Sequence, residues 1–232
     1  MIQLPLSNWT NNSASIISQA KAVDAAAVLG PNVDSTVLSG YEKQRAVILK
    51  DINTEGVGGL SWNTGPETSI YMTRPLSRGS VKINSTSILS DPLIDYGALT
   101  DPTDLSMLYA IYMKNRELMS TPDIVVLGPI EISPAPGTND EAEIKELIKR
   151  ALQPSNAHQC CTAAMMRRED GGVVDTKNKV YGTERLSVVD ASTFPLVPGG
   201  GPQASVYAWA EKVRLLSIEV RILLLTMYRL HI

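Results

Sequence analysis

Asp101-Pro102-Thr103-Asp104-Leu105-Ser106-Met107-Leu108-Tyr109-Ala110-Ile111-Tyr112 is the stretch on which the reading of the fold turns. Asp101 has the short acceptor side chain that caps a helix, and Pro102 suits the first turn, where an N–H would go unused. Leu105, Leu108, Ile111 and Tyr112 then fall on one face at helical spacing. Met107, Met113 and Met119 lie on or beside that face. They read as core filler rather than a ligand set, because thioethers fill irregular gaps. A helix with one apolar stripe needs another element to cover it, so the flanking sequence must supply one.

On the carboxyl side, Thr138-Asn139-Asp140-Glu141 has the form of a capping box with Thr138 at the cap. Ile144, Leu147, Ile148 and Leu152 follow on one stripe. Leu186-Ser187-Val188-Val189 reads as a short apolar strand. A last helix is expected after Pro202, with Val206, Trp209, Ala210 and Val213 in phase. On the amino side, residues 14–50 read as helical and are broken at Gly30-Pro31, with a second segment from Gly40 to Ile52. Residues 53–69, rich in Gly, Thr, Asn and Ser, read as loop. Ser80-Val81-Lys82-Ile83-Asn84 alternates as a half-buried strand does. Strands and separate helices together give an α+β class. No internal repeat is present.

Composition narrows the function. The chain has 232 residues, 44% of them hydrophobic, and a net charge of −3. That is enough for a real core, and the balance lacks the basic face that nucleic acid demands. The two cysteines, Cys160 and Cys161, are adjacent, a spacing that rarely bridges. With two histidines beside them there are too few soft ligands for a zinc site. Met1 to Leu6 lacks the basic start and long apolar run of a signal peptide. The apolar tail from Val213 to Ile232 is interrupted by Arg214, Glu219, Arg221 and Arg229, which argues against a membrane span and for a helix packed on a partner domain. Sequons at Asn8, Asn11 and Asn84 are short enough to arise by chance.

Two constellations could carry chemistry. His158 lies in a loop-like run, Asn156-Ala157-His158-Gln159-Cys160-Cys161-Thr162. Imidazole titrates near neutrality and can take or give a proton; the plain alternative is a structural histidine. Pro198-Gly199-Gly200-Gly201-Pro202-Gln203-Ala204 contains a G-x-G-x-x-A spacing. The prolines before it make a poor central strand, so it is not a dinucleotide fingerprint. Its glycines still permit close approach of a ligand to a helix start, where free N–H groups favour an electron-rich group. The alternative is a turn that only reverses the chain. Gly56-Val57-Gly58-Gly59 lacks the Lys and Ser/Thr of a phosphate loop, and Arg167-Arg168 reads as a solvated face.

The order of these signals resembles the glucose–methanol–choline family of flavin-dependent alcohol oxidoreductases, most of all its fungal aryl-alcohol-oxidase and choline-dehydrogenase-like branch. Pro75-Leu76-Ser77-Arg78-Gly79-Ser80-Val81 is similar to a strand start in the family's substrate domain. Asp91-Pro92-Leu93-Ile94-Asp95 and Asp101-Pro102-Thr103-Asp104 match its pre-helix stretch. His158 with Thr162 and Met165 resembles the family's H-x-x-x-T-x-x-M motif. Gly171 to Asp175, Val180-Tyr181-Gly182, Leu186 to Ser192, Phe194-Pro195 and Pro202 to Tyr207 follow in family order, ending in Ala210-Glu211-Lys212.

The resemblance implies an α+β fold: a mostly antiparallel sheet backed by helices (the substrate-binding domain), with the C-terminal strand and helix of an incomplete FAD domain. Residues 1–155 would be the substrate domain, 156–213 the catalytic loop and return segment, and 214–232 a divergent tail. It implies FAD as cofactor and a small alcohol as substrate. His158 matches the base that removes the hydroxyl proton while hydride passes to the flavin. Pro202 and Gln203 match the turn at the flavin's pyrimidine edge, and Asp190-Ala191 a place where backbone nears the cofactor. The position before the Pro-Gln pair, a second His or Asn in the family, is Gly201 here. Loss of such a donor costs on the order of 3 kcal/mol of transition-state stabilisation, so weakened activity is expected. The family's FAD fingerprint has no match, which suggests a truncated or misassembled gene product. The competing expectation is a non-catalytic remnant or binding module without flavin.

Overall fold

In the computed structural model, which describes residues 2–62 and 67–215, one helix organises the amino-terminal part of the molecule. The elements run β1 (Ile2–Leu4), α1 (Leu6–Trp9), α2 (Ser13–Ala22), α3 (Ala25–Leu29) and α4 (Ser35–Asp51). Next come β2 (Gly58–Trp62), β3 (Thr68–Met72), β4 (Ser80–Lys82), β5 (Leu93–Asp95), α5 (Pro102–Met119), α6 (Pro122–Val125) and α7 (Glu141–Ala151). Two 3-10 turns, Arg168–Asp170 and Ala191–Thr193, precede a helix over 203–215, here α8. The chain divides into two compact units, residues 1–33 with 45–156, and residues 34–44 with 157–232.

The first unit is built around α5. Asp101 caps it by accepting from the Thr103 N–H at 2.9 Å, with Pro102 at its start. Its inward face, Met107, Leu108, Ile111 and Tyr112, is buried. Leu108 and Tyr112 share a core with Ala135, Ile144 and Ile148, and Ile70 and Met72 of β3 pack against it. Burial of each Leu or Ile side chain in such a core contributes about 1.5–3 kcal/mol. The N-cap of α7 is Asp140, not Thr138. Asp140 accepts from the Glu143 N–H at 2.8 Å, while Thr138 donates to the Glu143 carboxylate. The capping chemistry is as expected, but it is displaced by two residues.

β1, β2 and β3 form an antiparallel sheet in that order, with Gln3 opposite Gly59 and Gly59 opposite Tyr71. Within the stretch expected as loop, residues 58–62 and 68–69 are therefore strand; residues 63–66 lie outside the described residues. The glycines misled because they serve a packed sheet. A Cβ at Gly59 would stand 2.0 Å from the Ile2 carbonyl and 2.7 Å from the Tyr71 hydroxyl, so only glycine lets the Tyr71 ring lie across the strand. β4 pairs with β5 as a separate antiparallel ribbon. It is not half-buried as expected: Val81 is 51% exposed and Ile83 89%.

The expected family motifs at 75–81 and 101–104 meet in this unit. The buried Asp104 carboxylate accepts from the backbone N–H of Leu76 and of Ser77, each at 2.8 Å. Burial pushes the Asp104 carboxyl up from its ordinary value, and hydrogen bonds from Ser77 and the two N–H groups oppose that shift. Arg45 pairs with the buried Asp101 carboxylate at 2.8 Å. These interactions tie α4, α5 and the Pro75 segment together through two carboxylates that also set the start of α5.

The second unit has little regular strand. Leu186–Val189, expected as a strand, makes one isolated bridge, Ser187 with Lys179. Its partner segment turns at Asn178 (φ 62°), whose side chain donates to the Val188 carbonyl, so the pairing closes a tight loop instead of extending a ladder. The helix expected after Pro202 is present as α8, with Val213 buried and Trp209 edge-on to Phe194 at 6.2 Å between ring centroids. The tail expectation for 214–232 lies outside the described residues from 216 onward.

Candidate active site

His158 stands on a loop that is pinned at its far end by backbone hydrogen bonds. The N–H groups of Cys161, Ala163 and Met165 donate to the carbonyls of Ala191, Ser192 and Thr193 at 3.1, 2.8 and 2.8 Å. Those acceptors form the 3-10 turn that Asp190 caps through the Ser192 N–H at 2.8 Å. Two non-glycine residues with left-handed backbone, Ala157 (φ 57°) and Cys161 (φ 74°), bracket His158. Such conformations cost about 1–3 kcal/mol each and persist where the surroundings enforce them, often at functional sites.

A groove of about 360 Å³ opens beside this loop, lined by Ala157, His158, Gln159, Ala191, Pro202, Gln203, Val206 and Tyr207. Four of the residues expected at a site, His158, Ala191, Pro202 and Gln203, are thus brought to one cavity from three distant segments. Asp190 stays outside the lining and acts on the turn. Gly201 also stays outside it and is exposed; a Cβ there would meet nothing within 4 Å. Sequence reasoning missed Gln159, Val206 and Tyr207. The signals were adjacency to His158 and, for Tyr207, a position one turn beyond Gln203 on the same helix face.

The groove ends at the start of α8. Val206 N–H donates to the Pro202 carbonyl at 2.9 Å, which closes the first turn. The backbone N–H groups of Gln203, Ala204 and Ser205 have no acceptor among the described residues. Unused N–H groups and the helix dipole favour an electron-rich edge there.

Behind the loop lies an ionic cluster that the sequence did not reveal. Asp170, 5% exposed, accepts from Lys43, from Ser39 at 2.9 Å and from Arg167 at 2.9–3.0 Å. The Lys43 hydrogen bond above all, aided by Ser39 and Arg167 against the opposing effect of burial, holds its carboxyl down at about 2. Arg167, expected on a solvated face, is exposed yet committed to this pair. Gly40 makes the approach possible, because a Cβ there would stand 2.1 Å from the Asp170 carbonyl. Cys160 and Cys161 are both half-buried and unbridged. Among the described residues no cluster of His, Cys, Asp and Glu could hold a metal ion, and no helix is long and apolar enough to cross a membrane.

The family model described as GMC oxidoreductase matches residues 75–210. The chain is 43% identical to the dehydrogenase xptC of Emericella nidulans over 201 residues, 86% of this chain and 32% of that protein. It is 32% identical to the patulin synthase of Penicillium expansum over 79% of this chain and 28% of that one. An FAD-dependent oxidoreductase from Chaetomium thermophilum superimposes with a TM-score of 0.90 at 40% identity, covering 94% of this chain and 38% of that chain. A fungal aryl-alcohol oxidase gives a TM-score of 0.88 at 29% identity over 95% of this chain. The chain spans about a third of the length of the curated relatives it matches. With the matched region covering more than half of its residues, the chain belongs to the GMC oxidoreductase family.

Proposed function

We propose that this chain forms the catalytic-base and substrate-facing part of an FAD-dependent oxidoreductase acting on CH–OH groups, with residues 1–155 as the substrate domain and 156–213 as the return segment of the flavin domain. The observation that carries the reading is the groove in which His158, Ala191, Pro202 and Gln203 converge. These residues fit one edge of a flavin: unused N–H groups at the start of α8 suit the ring edge that gains negative charge on reduction. Bound FAD supplies the hydride acceptor. His158 would take the proton of the alcohol hydroxyl, as the base of such an oxidation. Its exposure on the groove wall leaves the imidazole reachable by a small alcohol. Pro202 and Gln203, with the Ala191 backbone, would hold the cofactor edge.

A second reading, a binding module without catalysis, is favoured by Gly201. It offers no side chain to the alcohol oxygen although the space for one is open. Anaerobic mixing of a primary alcohol with the protein saturated with added FAD separates the two readings. Flavin bleaching is expected, slowed about 10²–10⁴-fold by His158→Ala. Bleaching at an unchanged rate in that variant would remove His158 from the mechanism, and no bleaching at all would favour the binding module.

A further inference from the structure

We infer that Asn84 is an N-glycosylation acceptor: passed through a secretory compartment, the chain takes an N-linked glycan on Asn84 and not on Asn8 or Asn11. Each of these asparagines begins an Asn-x-Ser/Thr triplet and each is exposed, so neither motif nor exposure separates them. Their settings do. Asn8 and Trp9 belong to α1, where Trp9 is buried and donates its indole N–H to the Leu4 carbonyl at 2.8 Å. The Thr10 N–H donates to the Leu6 carbonyl at 3.2 Å. Lifting that triplet into an enzyme cleft would pull an indole out of the core. Asn11-Asn12-Ser13 straddles the start of α2: the Asn12 carbonyl accepts from the Ser15 and Ile16 N–H groups, and Ser13 is the first residue of the helix. Asn84-Ser85-Thr86 follows the end of β4 and has no such ties. All of it is exposed, and its backbone makes no hydrogen bond with the described residues. The Ser85 hydroxyl alone is engaged, with Ser90 at 2.8 Å and the Ser87 N–H at 3.0 Å. That leaves free the asparagine amide and the threonine hydroxyl, the two groups by which the triplet is read.

The surroundings give the glycan a role. Val81, Ile83, Ile88, Leu89, Leu93 and Ile94, on this ribbon and its loop, are each more than half exposed. Val81 stands opposite Ile94 in the ladder. Apolar groups gathered on an exposed strand pair invite association with another chain. A bulky, hydrated sugar on the residue next to Ile83 keeps such a surface away. The attachment moves no electrons. The Asn84 amide nitrogen bonds to the anomeric carbon of a lipid-diphosphate-linked oligosaccharide. The sugar–phosphate bond breaks, the amide loses one proton, and the lipid diphosphate leaves.

The test sends the full chain through the yeast secretory route behind a cleavable leader. Chain from microsomes is read beside secreted chain, because the sugar is added before export and the result then does not depend on export. Treatment with peptide N-glycosidase in heavy-oxygen water marks each asparagine that carried sugar, and peptide mass spectrometry places the mark. It is expected on Asn84 and absent from Asn8 and Asn11. It should be lost in Asn84→Gln and in Thr86→Ala and kept in Thr86→Ser, where serine retains the hydroxyl. In sedimentation, Asn84→Gln and Thr86→Ala should both self-associate at lower concentration than the glycosylated chain. An unmarked Asn84 in the microsomal chain overturns the inference, and a mark on Asn8 or Asn11 overturns the discrimination by setting. A marked Asn84 whose two variants sediment as the glycosylated chain does overturns the shielding role.

Discussion

Asp170 shows how one residue can matter to a site it does not line. Its carboxylate gathers Ser39 and Lys43 from α4 and Arg167 from the segment that follows the His158 loop. The folded value near 2 lies below the ordinary 3.8. The charged form is thus favoured by folding. Its contribution to stability is complete above about pH 4 and is lost as pH falls through about 2. Acid unfolding followed by Trp fluorescence should therefore steepen between those limits in the unaltered chain and be flatter there in Asp170→Asn. Identical curves would mean that Asp170 is paired equally well in the unfolded chain. The sequence could not show this cluster, because Lys43 and Asp170 are 127 positions apart and each looks like an ordinary surface charge. The expectation for His158 rests on the opposite kind of signal: its neighbours in sequence carry a motif, and the structure sets it on the wall of a groove.

At the scale of elements, helices were easier to read than strands. α5 and α7 each carry an apolar stripe and a capping residue within one continuous segment, so local chemistry sets their limits to within two residues. β2 was lost to its glycines, whose purpose appears only when β1 and Tyr71 lie beside them. The Leu186–Val189 segment has strand composition, but its partner turns away at Asn178. The start of α5 carries a further test. Asp104 satisfies two backbone N–H groups of the Pro75 segment in a site that water does not reach. Asp104→Ala orphans both, at about 1–3 kcal/mol for each buried donor. Urea denaturation should show a lower midpoint with an unchanged slope. A midpoint unmoved by the change would mean that the 75–77 backbone finds other acceptors.

At the scale of the whole molecule, the question is how much of a flavin this chain can hold. The groove presents eight lining residues and one helix start. Those contacts suit a single edge of the ring system, whereas FAD also carries a pyrophosphate and an adenosine that need their own N–H cradle. The chain's G-x-G-x-x-A spacing is not such a cradle, since Gly199, Gly200 and Gly201 form an open turn after Pro198 with no strand before it. One edge contact leaves most of the cofactor surface uncovered, and affinity depends on covering it. The 232-residue chain, purified folded and monodisperse, should therefore release no stoichiometric FAD on denaturation, as read by absorbance and fluorescence. Stoichiometric FAD would show that the described groove is only part of a fuller site. A protein that holds its flavin yet offers no side chain at Gly201 would have to draw its activity from His158.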